Sequence, residues 1–265
     1  MIMAETTSPA VHIFGSDKGG VGKTLAAQVA ITRLLTITGR LPVIIEVEAE
    51  ARLGAIYGTK AVRSFILGAN TMEELERNPR LIYAMWNDLG ELLLENEGRD
   101  VVLDLGANLT RSLMVWLDEF GADGPLGTGE RVRFYALTTG ETASLTSASN
   151  ALGYAAHSLP ASTRTLLLNE RDEALFPLAP DAPAVRSLLK THEANAARFP
   201  RCMSPALAQV VDQRMRLDDA LAQPVDFWAG KGMKRMDAIL AVRRLTSWGE
   251  AAMSVFGSLP AIAPA

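Results

Sequence analysis

The chain has 265 residues, 48% of them apolar and 21% charged, with a formal charge of -4 and a pI near 5.5. These values are ordinary for a soluble globular protein with a full core, and they argue against whole-surface attraction to nucleic acid, leaving room only for a local basic patch. The single cysteine, Cys202, excludes an intrachain disulfide and a paired-cysteine metal or cluster site, which fits a reducing cytoplasm. The opening MIMAETTSPA has no basic region followed by an apolar run, so no signal peptide is expected there. No apolar stretch of about 18 residues occurs, so no membrane span is expected.

In chain order, Val11–Gly15 (VHIFG) is a short apolar run that reads as a strand, and Lys23–Thr38 reads as a helix. Leu41–Val47 is a second strand, rich in β-branched residues. Arg80–Glu97 carries Leu81, Ala84, Met85, Leu89, Leu92 and Leu93 at helical spacing. Asp100–Leu105, Arg131–Thr138 and Thr163–Asn169 are the third, fourth and fifth strands. Gly121–Glu130, dense in glycine, and Phe176–Pro183, dense in proline, read as surface loops. After about residue 185 strand signals stop, and Lys231–Phe256 reads as one long helix. Strands alternating with helices predict an α/β fold with a parallel, mostly doubly wound sheet flanked by helices. Near-continuous apolar strands such as VVLDL fit burial on both faces. One domain over 1–265 is expected, with a nucleotide-binding core over about 10–170 and a helical C-terminal part over about 185–265.

The core prediction rests on residues 15–24, GSDKGGVGKT. A phosphate-binding loop reads GxxxxGK followed by Ser or Thr, between a strand and a helix. Gly22, Lys23 and Thr24 supply the second half, while Asp17 stands where the first glycine belongs. Gly19, Gly20 and Gly22 let successive N–H groups turn toward phosphates, and the helix starting near Lys23 points its positive end there. Lys23 is expected on the β- and γ-phosphates and Thr24 on Mg²⁺, with Val21 and Leu25 completing the loop. The extra lysine, Lys18, makes KGGVGKT closely resemble the signature of the ParA/MinD family of deviant Walker-A P-loop ATPases.

That resemblance implies an ATP-sandwich homodimer in which Lys18 of each subunit reaches the phosphates held by the other. It also implies a slow, partner-stimulated ATP hydrolase with ATP/ADP and Mg²⁺ as ligands. Such a switch serves DNA or plasmid partitioning or cargo positioning. In the family the second strand ends in two aspartates, one of which orients the attacking water; Glu46 and Glu48 fill those positions here. The added methylene of Glu48 displaces the carboxylate by about 1 Å, a shift that costs about a hundredfold in rate. A nucleotide-gated interaction protein with little hydrolysis is therefore the alternative. Asp104, ending VVLDL, matches the acid that holds Mg²⁺ through water, but Gly106-Ala107-Asn108 follows where the family has a proline. Asn169 falls where family members read the adenine edge, a task suited to an amide that both donates and accepts.

Lys231, Lys234, Arg235, Arg243 and Arg244 make the C-terminal helix basic. ParA-like proteins bind DNA without sequence preference through such residues, and the alternative is a solvated face on a packing helix. A MinD-like spatial regulator would end in an amphipathic membrane helix, and GSLPAIAPA is a poor one. Arg214 and Arg216 suit either reading. His12, His157 and His192 are scattered and form no metal pattern.

Overall fold

The computed structural model describes residues 8–75, 77–171 and 182–257. Seven strands form one sheet: β1 Val11–Gly15, β2 Val43–Glu48, β3 Val62–Ile66, β4 Val101–Leu105, β5 Val132–Thr138, β6 Thr163–Asn169 and β7 Asn195–Phe199. Their spatial order is β3-β2-β4-β1-β5-β6-β7, and every pairing is parallel. The sheet is flanked by α1 Lys23–Thr38, α2 Leu53–Tyr57, α3 Ala69–Glu74, α4 Tyr83–Glu95, α5 Thr110–Phe120, α6 Thr142–Ser158 and α7 Pro183–Thr191, then by α8 Ala206–Asp212, α9 Leu217–Leu221, α10 Val225–Gly230 and α11 Arg235–Ser254. This is a P-loop NTPase-like α/β fold.

Because successive side chains of a strand point to opposite faces, each central strand feeds two cores. One core joins Val11, Ile13, Ile45, Val47, Leu103 and Leu105 to the helices α4 to α7, through Trp86, Trp116, Leu152 and Leu188. The other joins Phe14, Ile44, Val102 and Tyr135 to α1, α2 and the C-terminal helices, through Ile31, Leu53, Trp228 and Trp248. The same parity sends the even-numbered acids Glu46, Glu48 and Asp104 toward the α1 face. The sheet register reinforces this by pairing Glu46 with Asp104.

The five strands expected from the sequence are present, three of them starting one or two residues later than expected. Two more were not anticipated. Both β3 (VRSFI) and β7 (NAARF) are edge strands, half-exposed and short of the apolar run that marks a strand buried on both faces. The C-terminal third is therefore not purely helical: β7 completes the sheet beside β6. The expected long helix over Lys231–Phe256 is broken. Gly232 adopts φ +94, a left-handed conformation that no α-helix continues through, so α10 stops at Gly230 and α11 starts at Arg235. The helix expected from Arg80 begins at Tyr83, because Asn78 to Leu81 form a turn with Leu81 N–H on the Asn78 carbonyl. The proline-dense stretch falls mostly outside the described residues, as do MIMAETT at the start and the last eight residues of the sequence.

Candidate phosphate-binding site

The loop between β1 and α1 lies at the carboxyl end of the central strand, flanked by β4 on one side and β5 on the other. Chain crossovers leave in both directions around β1, and such switch points are where open α/β sheets bind ligands. Gly20 (φ +73) and Gly22 (φ +96) take left-handed conformations that turn the loop back on itself. Helix α1 then starts at Lys23 with no side-chain cap and no acidic residue in its first turn. Its first N–H groups and the positive end of its dipole are left facing the loop, the arrangement that receives an anion.

Lys23 crosses the inside of this loop. Its Nζ donates to the carbonyls of Ser16 (2.8 Å) and Lys18 (3.1 Å). Burial pushes its pKa down, and the carboxylates of Asp104, Glu48 and Asp17 push it back up. Asp17 thus belongs to the negative field around Lys23. Lys18 is held by its backbone, its N–H donating to Ser147 Oγ of α6 at 2.8 Å, while its side chain is exposed along with Gly19 and Gly20. Val21 is buried; Thr24 and Leu25 are half-buried.

Asp104 is fully buried, and neither carboxylate oxygen accepts a hydrogen bond of ordinary geometry. Burial raises its pKa to about 7; the Thr24 hydroxyl and the Lys23 ammonium oppose the rise, and Glu48 and Glu46 add to it. An orphaned buried carboxyl costs stability and marks a place where a cation would be favourable. Among the described residues no three His, Cys, Asp or Glu side chains are grouped to hold a metal ion. A cation here would take Asp104 and Thr24 and complete its shell with water and phosphate oxygens, the usual mode of Mg²⁺.

Glu48, 7% exposed, ends β2 beside this group, and Ala49 N–H donates to its Oε2 at 3.2 Å. Gly106, just after β4, lies close to it: a Cβ there would be 3.0 Å from Glu48 Oε2 and 3.1 Å from the Val47 carbonyl. Glu46, placed by the sequence at the other acidic position, is neither a site acid nor a surface acid. It is fully buried and accepts four bonds: from the backbone N–H of Arg52 (2.9 Å), Leu53 (2.7 Å) and Gly54 (2.9 Å) and from Ser64 Oγ (2.5 Å). It fastens the start of α2, and β3 beside it, to β2. The longer glutamate fits this task because its carboxylate must reach beyond its own strand.

Asn169 Nδ2 donates to the Val21 carbonyl at 2.8 Å and packs against Gly22, where a Cβ would lie 2.5 Å from that nitrogen. Arg171, two residues on, donates to the Gly20 carbonyl. The segment after β6 thus braces the loop. Arg171 and Ser147 carried no motif in the sequence; they are seen only when β6 and α6 are folded beside β1. His12 is buried against Tyr135, its Nδ1 3.3 Å from the phenol oxygen, and burial lowers its pKa to about 3, so it is neutral and structural. Arg216, open in the sequence, lies over the Tyr57 ring and pairs with Asp218.

The C-terminal cations are all exposed. Arg235 pairs with Asp226 at 3.3 Å, Lys231 lies 5.5 Å from the centre of the Phe227 ring, and Lys234 and Arg244 line a groove beside α8. No helix of the described residues is long and apolar enough to cross a membrane.

Sheet order and the glycine-rich loop at the end of β1 together define a P-loop NTPase-like α/β fold. No family model and no curated protein matches the chain. Among solved structures it is similar to the MinC:MinD cell division protein complex of Aquifex aeolicus, with a TM-score of 0.48 and 14% identity over 95% of this chain and 98% of that one. It is also similar to a nucleotide-binding protein of Archaeoglobus fulgidus in complex with ADP (TM-score 0.46, 12% identity, 81% and 89% covered). A Cyanothece McdA–ATP complex is a third (TM-score 0.44, 14% identity, 97% and 100% covered). With identities this low, the functional reading rests on this chain's own residues.

Proposed function

We propose that the chain binds ATP and ADP with Mg²⁺ at residues 17–25 and acts as a slow ATP hydrolase of the ParA/MinD kind, switching between nucleotide-defined states. The observation that carries this reading is the fully buried Asp104 carboxyl, set beside Lys23 and Thr24 at the uncapped start of α1. Lys23 and the loop N–H groups bind the phosphates; Thr24 and Asp104 hold the cation, which supplies charge neutralisation as negative charge moves to the leaving phosphate. Glu48, close enough to Lys23 to act on its charge, orients the attacking water and receives its proton. Asn169 holds the loop through Val21, and in this reading its amide also meets the adenine edge.

Two copies close over the nucleotides in this reading, each offering the exposed Lys18 to the other's phosphates. Closure builds a surface for a stimulating partner, and hydrolysis reopens it. The task is cargo positioning or DNA partitioning in the cytoplasm, with the nucleoid as one platform.

The decisive experiment is ATP affinity and turnover of the purified chain beside Lys23→Ala, with and without duplex DNA at low salt. Loss of ATP binding in the variant is expected, and unchanged affinity refutes the loop assignment. Turnover that rises with DNA and loses that rise in salt identifies the nucleoid as the platform. Tight binding without turnover in either condition identifies a nucleotide-gated scaffold.

A further inference from the structure

We propose that the groove between α8 and the first half of α11 is a docking site for an acidic amphipathic helix of a partner protein. The groove encloses about 610 Å³ between Ala208 of α8 and Met233, Lys234, Asp237, Leu240 and Arg244 at α11. Asp237, Leu240 and Arg244 recur at spacings of three and four, so one stripe of α11 forms a wall. Apolar side chains extend past the groove. Leu240 is 42% exposed, Met236, one turn before it, is 69% exposed, and Val211, three residues beyond Ala208 on α8, is 59% exposed. Met203, 55% exposed, belongs to the same neighbourhood, because Arg244 Nη1 donates to its carbonyl at 3.4 Å. Apolar side chains gathered in this way mark a contact surface.

The charge around the groove selects the occupant. Its lining carries two cations, Lys234 and Arg244, against one acid, Asp237, in a chain whose overall charge is -4. The local field is therefore opposite in sign to the whole. A helix with an apolar stripe and acidic flanks covers the Met and Leu side chains and meets Lys234 and Arg244 at the rim. Duplex DNA fits less well. Its phosphates would meet the cations but would leave the apolar floor wet.

The test uses the full chain and a yeast-display library of helical peptides of about 16 residues with randomised apolar and charged positions. Enriched peptides are measured by fluorescence anisotropy beside a duplex of about 20 base pairs. Enrichment of peptides with Leu, Met or Phe at helical spacing flanked by Asp or Glu is expected, with Leu240→Ser and Arg244→Glu each weakening binding about tenfold. Met236→Ser, at a still more exposed position, provides a second apolar probe, and thermal melts verify that all three variants fold. Absence of enrichment, or binding that ignores these variants, overturns the proposal. So does duplex binding that is lost in Arg244→Glu but retained in Leu240→Ser, which would make this face a DNA surface. The groove stands apart from the nucleotide reading, because the peptide measurement needs no ATP.

Discussion

Replacing Asp104 by Asn should change how stability depends on pH, in a direction opposite to that of most carboxylates. Burial raises the native pKa of Asp104 from 3.8 to about 7. Between those values the native state holds a proton that the unfolded state has released, so this group makes stability fall as pH rises. The loss starts above the unfolded pKa and is complete above the native one. A shift of about 3 pH units at 1.36 kcal/mol per unit amounts to about 4 kcal/mol. His12 works in the other direction. Its native pKa of about 3 against 6.5 unfolded makes stability rise as pH increases through that range. The two nearly cancel in the wild type, so the informative quantity is the difference between wild type and Asp104→Asn. Urea unfolding of the nucleotide-free proteins from about pH 4 to pH 8 measures it. The variant should gain on the wild type by about 1 kcal/mol per pH unit up to neutrality, with no further gain above it. Parallel pH profiles would mean that Asp104 ionises as a solvated acid and that its oxygens are satisfied.

Glu46→Gln should cost about 2–4 kcal/mol in urea unfolding, because an amide nitrogen placed among four donors leaves some of them unpaired in the core; a loss under about 0.5 kcal/mol would refute the clamp. Glu48→Asp should leave ATP turnover equal or faster in a steady-state phosphate-release assay. A large loss of rate would show that the site is adapted to the longer acid. Lys18→Ala should keep ATP affinity while weakening the ATP-bound dimer, read by analytical ultracentrifugation; a normal dimer removes the role across subunits.

The centre of the molecule was legible because its physics is local. Val11–Gly15, Lys23–Thr38 and Thr163–Asn169 announce their own boundaries, and the glycine-lysine loop carries its chemistry in its spacing. The edges were not legible, because β3 and β7 gain their strand character from a single neighbour rather than from apolar content. The role of Glu46 was hidden for a related reason. Position along β2 places it one alternation before Glu48, on the same face, and only the fold decides that one acid meets the start of α2 while the other meets Lys23. Asn169 was singled out by position as a contact to the base, whereas its bond to the Val21 carbonyl, 148 residues away in sequence, is seen only in the fold.

The two edge strands bear on how copies of this chain meet. Each is only five residues long, and each carries an exposed arginine, Arg63 on β3 over the Phe65 ring and Arg198 on β7 paired with Glu170. Short, charged margins of this kind discourage another chain from adding its own strand. At high protein concentration the sheet is thus closed to runaway growth. Association is left to loops and helices, where a nucleotide or a partner is able to control it.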